Sequence, residues 1–320
     1  MKGTWKLKLR LWGAMLIMFG MLYLIIMFAG NLLGYGGFYQ FYAIAGIGVI
    51  FLQYLMGPKL VEMSMGVKPL SKEEAPYIHE MVEELSREAG IPKPKIGISP
   101  TSVPNAFAYG RSKRSGHVCI TQGILGLLDR DELKAVLGHE MGHIKHNDMA
   151  ITTIVSVIPM ICYYIAFSFM FSRGDNNNSG AIIGILAFAA YFIGQLLVLF
   201  ISRIREYYAD EASVEFGAKP NDLASALYKL VYGASNSSEE QIKDIDGTRA
   251  FFLNDVNDAQ KDIRSLRELD LDNNGKISDE ELNQLANRNI KVKGSENISE
   301  VFSTHPNMLK RIKRLAELEK

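Results

Sequence analysis

Four long apolar runs dominate the chain, at residues 11–30, 38–57, 151–171 and 181–201, and the segments between them are charged and ordinary in pattern. About 20 helical residues cover the roughly 30 Å of bilayer hydrocarbon, so each run predicts a transmembrane helix. The first, LWGAMLIMFGMLYLIIMFAGN, follows Lys2, Lys6, Lys8 and Arg10 as a secretory signal would. It outruns the roughly 7–15 apolar residues of a cleavable signal and meets a second run almost at once, so it reads as a retained anchor. Asn31 to Gly37, between the first two runs, carries no Lys or Arg, whereas Lys59, Lys68 and Lys72 follow the second. The link SRGDNNNSG between the second pair has one Arg and one Asp, against Lys145, Arg203, Arg205 and Lys229 on the other side. By the positive-inside rule this predicts a multi-pass cell-membrane protein whose termini and two large polar regions face the cytoplasm. Pro159 predicts a kink in the third span.

Between the span pairs the period changes. Glu73 to Ala89 predicts a helix stopped by Gly90, with Met81 and Leu85 on its apolar stripe. IPKPKIGISP reads as an extended, Pro-punctuated strand, and AFAYG and GHVCIT as two short strands separated by the turn-like RSKRSG. Asp129 to Asn147 predicts a helix, with Asp129 as N-cap, acidic residues in the first turn, and Leu133, Val136, Leu137, Met141 and Ile144 at helical spacing. The fold class is therefore α+β and mostly helical: an integral membrane protein with four transmembrane helices.

Composition sharpens this picture. A mean hydropathy of +0.04, with 48% hydrophobic and 22% charged residues, is an average over two unlike parts. It excludes a purely soluble enzyme and a disordered chain. The balance of 35 basic against 35 acidic residues gives no sign of a nucleic-acid partner. Only Cys119 and Cys162 occur, the latter inside an apolar run, which argues against a disulfide scaffold.

On the Asp129–Asn147 helix stands His139-Glu140-Met141-Gly142-His143, an H-E-x-x-H motif. Residues at i and i+4 project from one helical face, so two imidazoles can meet one tetrahedral zinc ion while the adjacent Glu points at its bound water. The bland alternative is two surface histidines on an amphipathic helix. A catalytic zinc needs a third protein ligand and an open fourth position. His146 is a poor choice, lying only three residues beyond His143 without the glycine turn of longer zinc motifs. In SRIREYYAD, after the fourth run, Glu206 and Asp210 share a face if the segment is helical. Glu206 could then ligate zinc and Asp210 accept a hydrogen bond from a ligand imidazole. A charged cluster anchoring the end of the span is the competing reading.

LGHEMGHIKHND, SRIREYYAD, the upstream VPNAFAYG and the late STHPNMLKRIKRL together resemble the HtpX-type family of membrane-embedded zinc endopeptidases, relatives of the CAAX prenyl endopeptidases. The resemblance covers residues 1 to about 230 and 300–320. It implies a cytosolic, gluzincin-like zinc peptidase domain fused to membrane helices, with His139, His143 and Glu206 on zinc and Glu140 as general base. It also implies that Asn105, Ala106, Phe107 and Ala108 lie on a strand edging the cleft, where substrate could align by strand addition. An ordinary core strand carrying Phe107 is the alternative. His305 and Arg311 resemble a later motif whose His and Arg approach the cleft and could stabilise an oxyanion; a helix N-terminus with Arg311 solvated competes. With His143 about eight residues before the third run and Glu206 about five after the fourth, helical continuation puts both some 7–12 Å from the membrane boundary. Substrates are therefore expected to be membrane proteins or segments emerging from the bilayer.

Residues 235–299 depart from the family pattern. Within them Asp270, Asp272, Asn274, Lys276, Ser278 and Glu281 occupy EF-hand positions 1, 3, 5, 7, 9 and 12, with Gly275 at the turn and Ile277 set for the short strand contact. Ile263, Leu266 and Leu269 before the loop, and Leu282 and Leu285 after it, predict flanking helices. Calcium is the expected second ion, although EF-hands generally pair and the sequence contains no second loop; a polar turn between helices is the alternative. The expected division is 1–57 two spans, 58–150 the first half of the peptidase domain, 151–201 two spans, 202–234 its second half, 235–299 the insertion, and 300–320 a closing helix. The leading function is an integral-membrane zinc endopeptidase in membrane-protein quality control. Its rivals are a metal-binding scaffold or calcium sensor without turnover, and a prenyl-peptide endopeptidase.

Overall fold

The computed structural model describes scattered positions between residues 9 and 24, then 39–170, 178–235, 266, 269–272, 274–287 and 300–318. The chain divides into two compact units, Met1–Met56 with Ala150–Ile204, and Gly57–Met149 with Arg205–Lys320. It is mostly helical with one small sheet.

In the first unit the first apolar run falls largely outside the described residues. The second run opens helix α1 (Tyr39–Ser64). The third and fourth form α5 (Asp148–Met170) and most of α6 (Asn178–Glu215), both numbered here in chain order. Among the described residues, stretches of these last two are long and apolar enough to cross a membrane. Val155 and Ile158 of α5 pack with Ile201 of α6, and Gly194 lets α6 approach Pro159, to which an added Cβ would come within 3.3 Å.

The second unit holds the sheet, in the order β1 (Lys68–Pro69), β2 (Lys95–Ser99), β4 (Gly116–Thr121), β3 (Ala106–Gly110). β2 and β4 are parallel, while β1 and β3 pair antiparallel at the two edges. Helix α2 (Pro76–Ala89) begins three residues later than its periodicity suggests. Ser71 and Glu74 instead close a reciprocal turn of their own, and Pro76, lacking an N–H, takes the first helical position. Its end at Gly90, in the left-handed conformation with φ 66°, is as expected. After the one-turn α3 (Gln122–Leu125) comes α4 (Arg130–Lys145).

Asp129 caps α4 with a full capping box: its side chain accepts from the N–H groups of Asp131 and Glu132, and Glu132 accepts from the Asp129 N–H. Leu133, Val136, Leu137, Met141 and Ile144 are buried in one core with Ile78, Val82 and Leu85 of α2 and Val118 and Ile120 of β4. α7 (Pro220–Ser235), α8 (Asp279–Asn287) and α9 (Met308–Leu318) contribute to the same core.

Candidate metal centre

The H-E-x-x-H residues lie on the buried face of α4, with His139 and Glu140 enclosed and His143 partly so. Their imidazoles turn Nε2 toward Nε2 at 3.2 Å. α6 runs unbroken from its apolar stretch through Glu206 and Asp210, so the two acids do share a face. Glu206 brings Oε2 to 3.6 Å from His139 Nε2 and Oε1 to 3.6 Å from His143 Nε2. Zinc bonds of about 2.05 Å in a tetrahedron set neighbouring donors about 3.3–3.4 Å apart, so this triangle is the right size for one ion.

Close helix contact makes the triangle possible. An added Cβ at Gly142 would lie 2.9 Å from Ala212 Cβ and 3.0 Å from Ala209 Cα, and one at Gly138 would lie 3.0 Å from Ser213 Oγ. Small residues on both helices let α4 and α6 meet backbone to backbone, and Ser213 donates to the Ala135 carbonyl at 2.7 Å.

Carboxylates stand behind both imidazoles. Asp210 Oδ1 lies 2.9 Å from His139 Nδ1, though off the line of a ring N–H. Asp210 is in turn gripped in bidentate fashion by Arg311, at 2.7 and 3.0 Å. Arg311 Nη1 also lies 3.1 Å from Glu206. Arg311 is fully buried, which removes the reading of it as a solvated residue. His305 Nδ1 sits 3.3 Å from Glu206 Oε2 outside hydrogen-bond geometry. His143 Nδ1 hydrogen-bonds Asp148 Oδ2 at 2.6 Å, and Asp148 Oδ1 lies 3.1 Å from Arg205 Nε. Neither Asp148 nor Arg205 was expected at the site. The only signal in the sequence was the acid five residues beyond His143. His146 caps the end of α4 and packs on Tyr208, away from the donor triangle.

Four buried carboxylates, Glu140, Asp148, Glu206 and Asp210, stand at the donor triangle with two buried guanidiniums, Arg205 and Arg311. Burial would lower the His139 pKa, but Asp210 and Glu206 outweigh it and raise it to about 9. Burial pushes the Glu140 carboxyl up, against the lowering pull of His143 and His139 and of the Ala108 backbone. Glu140 thus stands near β3, whose outer edge carries no strand among the described residues. Within the 105–108 segment, Ala106 to Ala108 lie on β3, with Ala106 and Phe107 buried, while Asn105 precedes it and donates its N–H to Thr121 Oγ1 at 2.8 Å. Cys119, on β4, is buried and pushed up to about 12, so it is no nucleophile here.

A family model described as "Peptidase family M48" matches residues 72–319. The chain belongs to peptidase family M48. It is 60% identical over 228 residues to a "Protease HtpX homolog" of Methanothermobacter thermautotrophicus, covering 71% of this chain and 87% of that one. It is 32% identical to "Protease HtpX homolog 2" of Methanosarcina acetivorans across 100% of this chain and 99% of that one. The crystal structure of S. mikatae Ste24p shares the fold at 17% identity, with a TM-score of 0.51 over 96% of this chain and 67% of that one. This M48 peptidase is a membrane-bound zinc metalloprotease, and its His-Glu-His group on α4 suits the metal.

The 270–281 loop forms a second acidic cluster, with carboxylate oxygens of Asp270, Asp272 and Glu281 within 4.8 Å of one another. Gly275 turns the loop with φ 79°. Lys276 presents its ammonium 2.7 Å from Asp129, the cap of α4. Among the described residues Ile277 meets no partner strand. Ser225 on α7 accepts from its N–H at 2.7 Å and donates to its carbonyl at 3.1 Å, one hydroxyl serving both groups. Ile263, in the helix predicted before the loop, lies outside the described residues, whereas Leu266, Leu269, Leu282 and Leu285 are buried in the main core.

Proposed function

We propose that this metalloprotease cleaves membrane proteins, or segments emerging from the bilayer, in membrane-protein quality control, with His139, His143 and Glu206 holding zinc and Glu140 as general base. The observation that carries the reading is the triangle of two Nε2 atoms and Glu206 at tetrahedral spacing, with Glu140 beside it. Held by His139, His143 and Glu206, zinc would supply a water acidified toward neutrality and would polarise the peptide carbonyl. Glu140 is placed to take the water's proton and pass it to the leaving amine, a role suited to a carboxyl that burial makes more basic than usual. Substrate backbone lies along the open edge of β3 in the 105–108 segment, where Ala106 and Ala108 turn their main-chain groups outward and offer them without side-chain selectivity. Asp210 holds His139, and His305 and Arg311 flank Glu206 on the side where an oxyanion would need donors.

Four spans, with both termini and the peptidase unit cytoplasmic, fit the distribution of Lys and Arg around the apolar runs. The peptidase domain then assembles from 58–150, 202–234 and 300–320, with 235–299 inserted. Unbroken helix from the apolar part of α6 supports the expected proximity to the bilayer for Glu206 alone. Between His143 and α5 the chain breaks at Asn147, with φ 55°, so no helical continuation links them. The test is zinc analysis with cleavage of a membrane-protein panel and soluble casein, by wild type and Glu140→Ala. Bound zinc in both proteins, with membrane substrates cleaved faster than casein by wild type alone, is the expected outcome. Equal rates on casein would end the membrane-substrate reading.

The 270–281 loop takes calcium in the same proposal, through Asp270, Asp272, Asn274, the Lys276 carbonyl, Ser278 and Glu281. Ser225 occupies the place that a second EF-hand would take against Ile277, and the Lys276–Asp129 contact leads from the loop to the cap of the H-E-x-x-H helix. Proteolysis measured with and without calcium, in wild type and Glu281→Gln, decides whether the ion modulates cleavage. No difference among them reduces the loop to structure.

A further inference from the structure

Asp148 is the first residue of α5, yet its carboxylate faces backward onto α4. The turn between the helices explains how. His146 N–H donates to the Gly142 carbonyl and Asn147 N–H to that of Ile144, closing α4. Asn147 then adopts φ 55°, the left-handed region that asparagine tolerates better than most residues, and the chain changes direction by one residue. The next side chain reaches the imidazole of His143, five positions earlier, with Oδ2 2.6 Å from Nδ1.

Asp148 is 1% exposed, and its other oxygen is 3.1 Å from Arg205 Nε on α6. Arg205, itself buried, stands next to Glu206 in sequence. One carboxylate therefore touches an imidazole from α4 and a guanidinium from the helix that carries the acidic member of the triangle. Asp210 and Arg311 repeat the arrangement behind His139, but there the ring N–H is not aimed at the carboxylate, whereas the His143–Asp148 pair meets hydrogen-bond geometry.

We infer that Asp148 is a positioning residue of the zinc centre: it accepts the hydrogen bond of His143 Nδ1 and so turns Nε2 toward the metal, while Arg205 keeps the carboxylate aimed. This rests on the reading of His143 as a zinc ligand. Fixing the tautomer and ring angle of a ligand histidine raises its basicity and lowers the cost of ordering it, and loss of such a partner weakens metal affinity by about 10- to 100-fold. Arg205 links that acid to α6, so the orientation of His143 and the placement of Glu206 depend on one ion pair.

The test uses the full-length protein in detergent. Zinc affinity is measured by competition with a chromophoric chelator, and the cobalt(II)-loaded protein is read by visible absorption. Asp148→Asn keeps the shape and removes the charge, Asp148→Ala removes the partner, and Arg205→Lys keeps charge without the planar guanidinium. The expected results are a 10- to 100-fold loss of zinc affinity in Asp148→Ala, a smaller loss in Asp148→Asn, and the least in Arg205→Lys. The cobalt band should shift in the first two, and kcat should fall with KM little changed. A role confined to folding would lower the melting temperature without moving the cobalt band of the folded fraction. Zinc affinity and cobalt spectrum as in wild type for Asp148→Asn and Asp148→Ala overturn the inference. If Asp148→Ala does not fold, Asp148→Asn decides alone. His143→Ala separates this failure from that of the underlying reading, because a His143→Ala protein that binds zinc like wild type removes His143 from the site altogether.

Discussion

Glu140 is 2% exposed on α4, between two imidazoles and beside the backbone of β3, and burial is the largest influence on its carboxyl, pushing it upward. A base so placed does its work by moving one proton, and Gln keeps its shape while abolishing that capacity. Glu140→Gln should therefore lower kcat by roughly 100- to 10,000-fold, the usual contribution of a positioned general base, and leave bound zinc unchanged. Steady-state kinetics beside metal analysis checks both halves; a variant that is inactive because it has lost its zinc would assign Glu140 to metal binding. The pattern His139-Glu140-x-x-His143 was legible because it is local, written in the i, i+4 geometry of a single helix. Asp148 was not, because it lies beyond a helix end, and helical periodicity carries no information across a left-handed residue such as Asn147. The burial of Arg311 was equally hidden, since it depends on Asp210 and Glu206, about a hundred positions earlier.

Two contacts decide how α4 presents its histidines. The first is its packing on α6. A methyl group at Gly142 would sit 2.9 Å from Ala212 Cβ and 3.0 Å from Ala209 Cα, too close for either helix to stay in place. Gly142→Ala should cost about 1–3 kcal/mol as an overpacked contact, and it should weaken zinc binding by moving Glu206 away from the imidazoles. Gly126→Ala is the control, because nothing lies within 4 Å of its added Cβ. Thermal unfolding and zinc competition on both proteins check this, and a Gly142→Ala protein that behaves like Gly126→Ala would show that the helices have slack. The second contact is the cap. Burial tends to raise the Asp129 carboxyl, but the Glu132 N–H and Lys276 outweigh it and hold it below its ordinary 3.8. A depressed acid contributes stability that is present above its unfolded pKa and lost as pH falls through the folded value, so this contribution disappears below about pH 4. Asp129→Ala should cost about 1 kcal/mol at neutral pH, and its melting temperature should converge on that of wild type as the pH is lowered through that window. The cap, α4 and the three longer strands could be read in advance because each is a run of local preference. The two-residue β1 could not, since it exists only through its pairing with Gly97 and Ile98 of β2.

The donors proposed for zinc flank the two apolar helices in the chain: His139 and His143 precede α5, and Glu206 follows the apolar part of α6. The sequence disclosed that split, since the motifs flank the third and fourth runs, but not the grouping of acids, which requires knowing which of them are buried together. Four carboxylates and two guanidiniums are enclosed there. Stripping zinc with 1,10-phenanthroline should then remove the ion that the proposal places between His139 and His143 of α4 and Glu206 of α6. The melting temperature should fall, because an ion that binds only the folded state stabilises it by mass action. Amide exchange should rise in the second half of α4, in residues 202–215 of α6 and in α9, while the sheet and α2, which share no donor with the metal, keep their protection. Restored zinc should reverse the change and calcium should not, since two imidazoles in the donor set suit zinc and calcium takes oxygen ligands. Unchanged exchange at α4 and α6 after zinc removal would mean that the two helices are held by packing alone and that no shared ion bridges them.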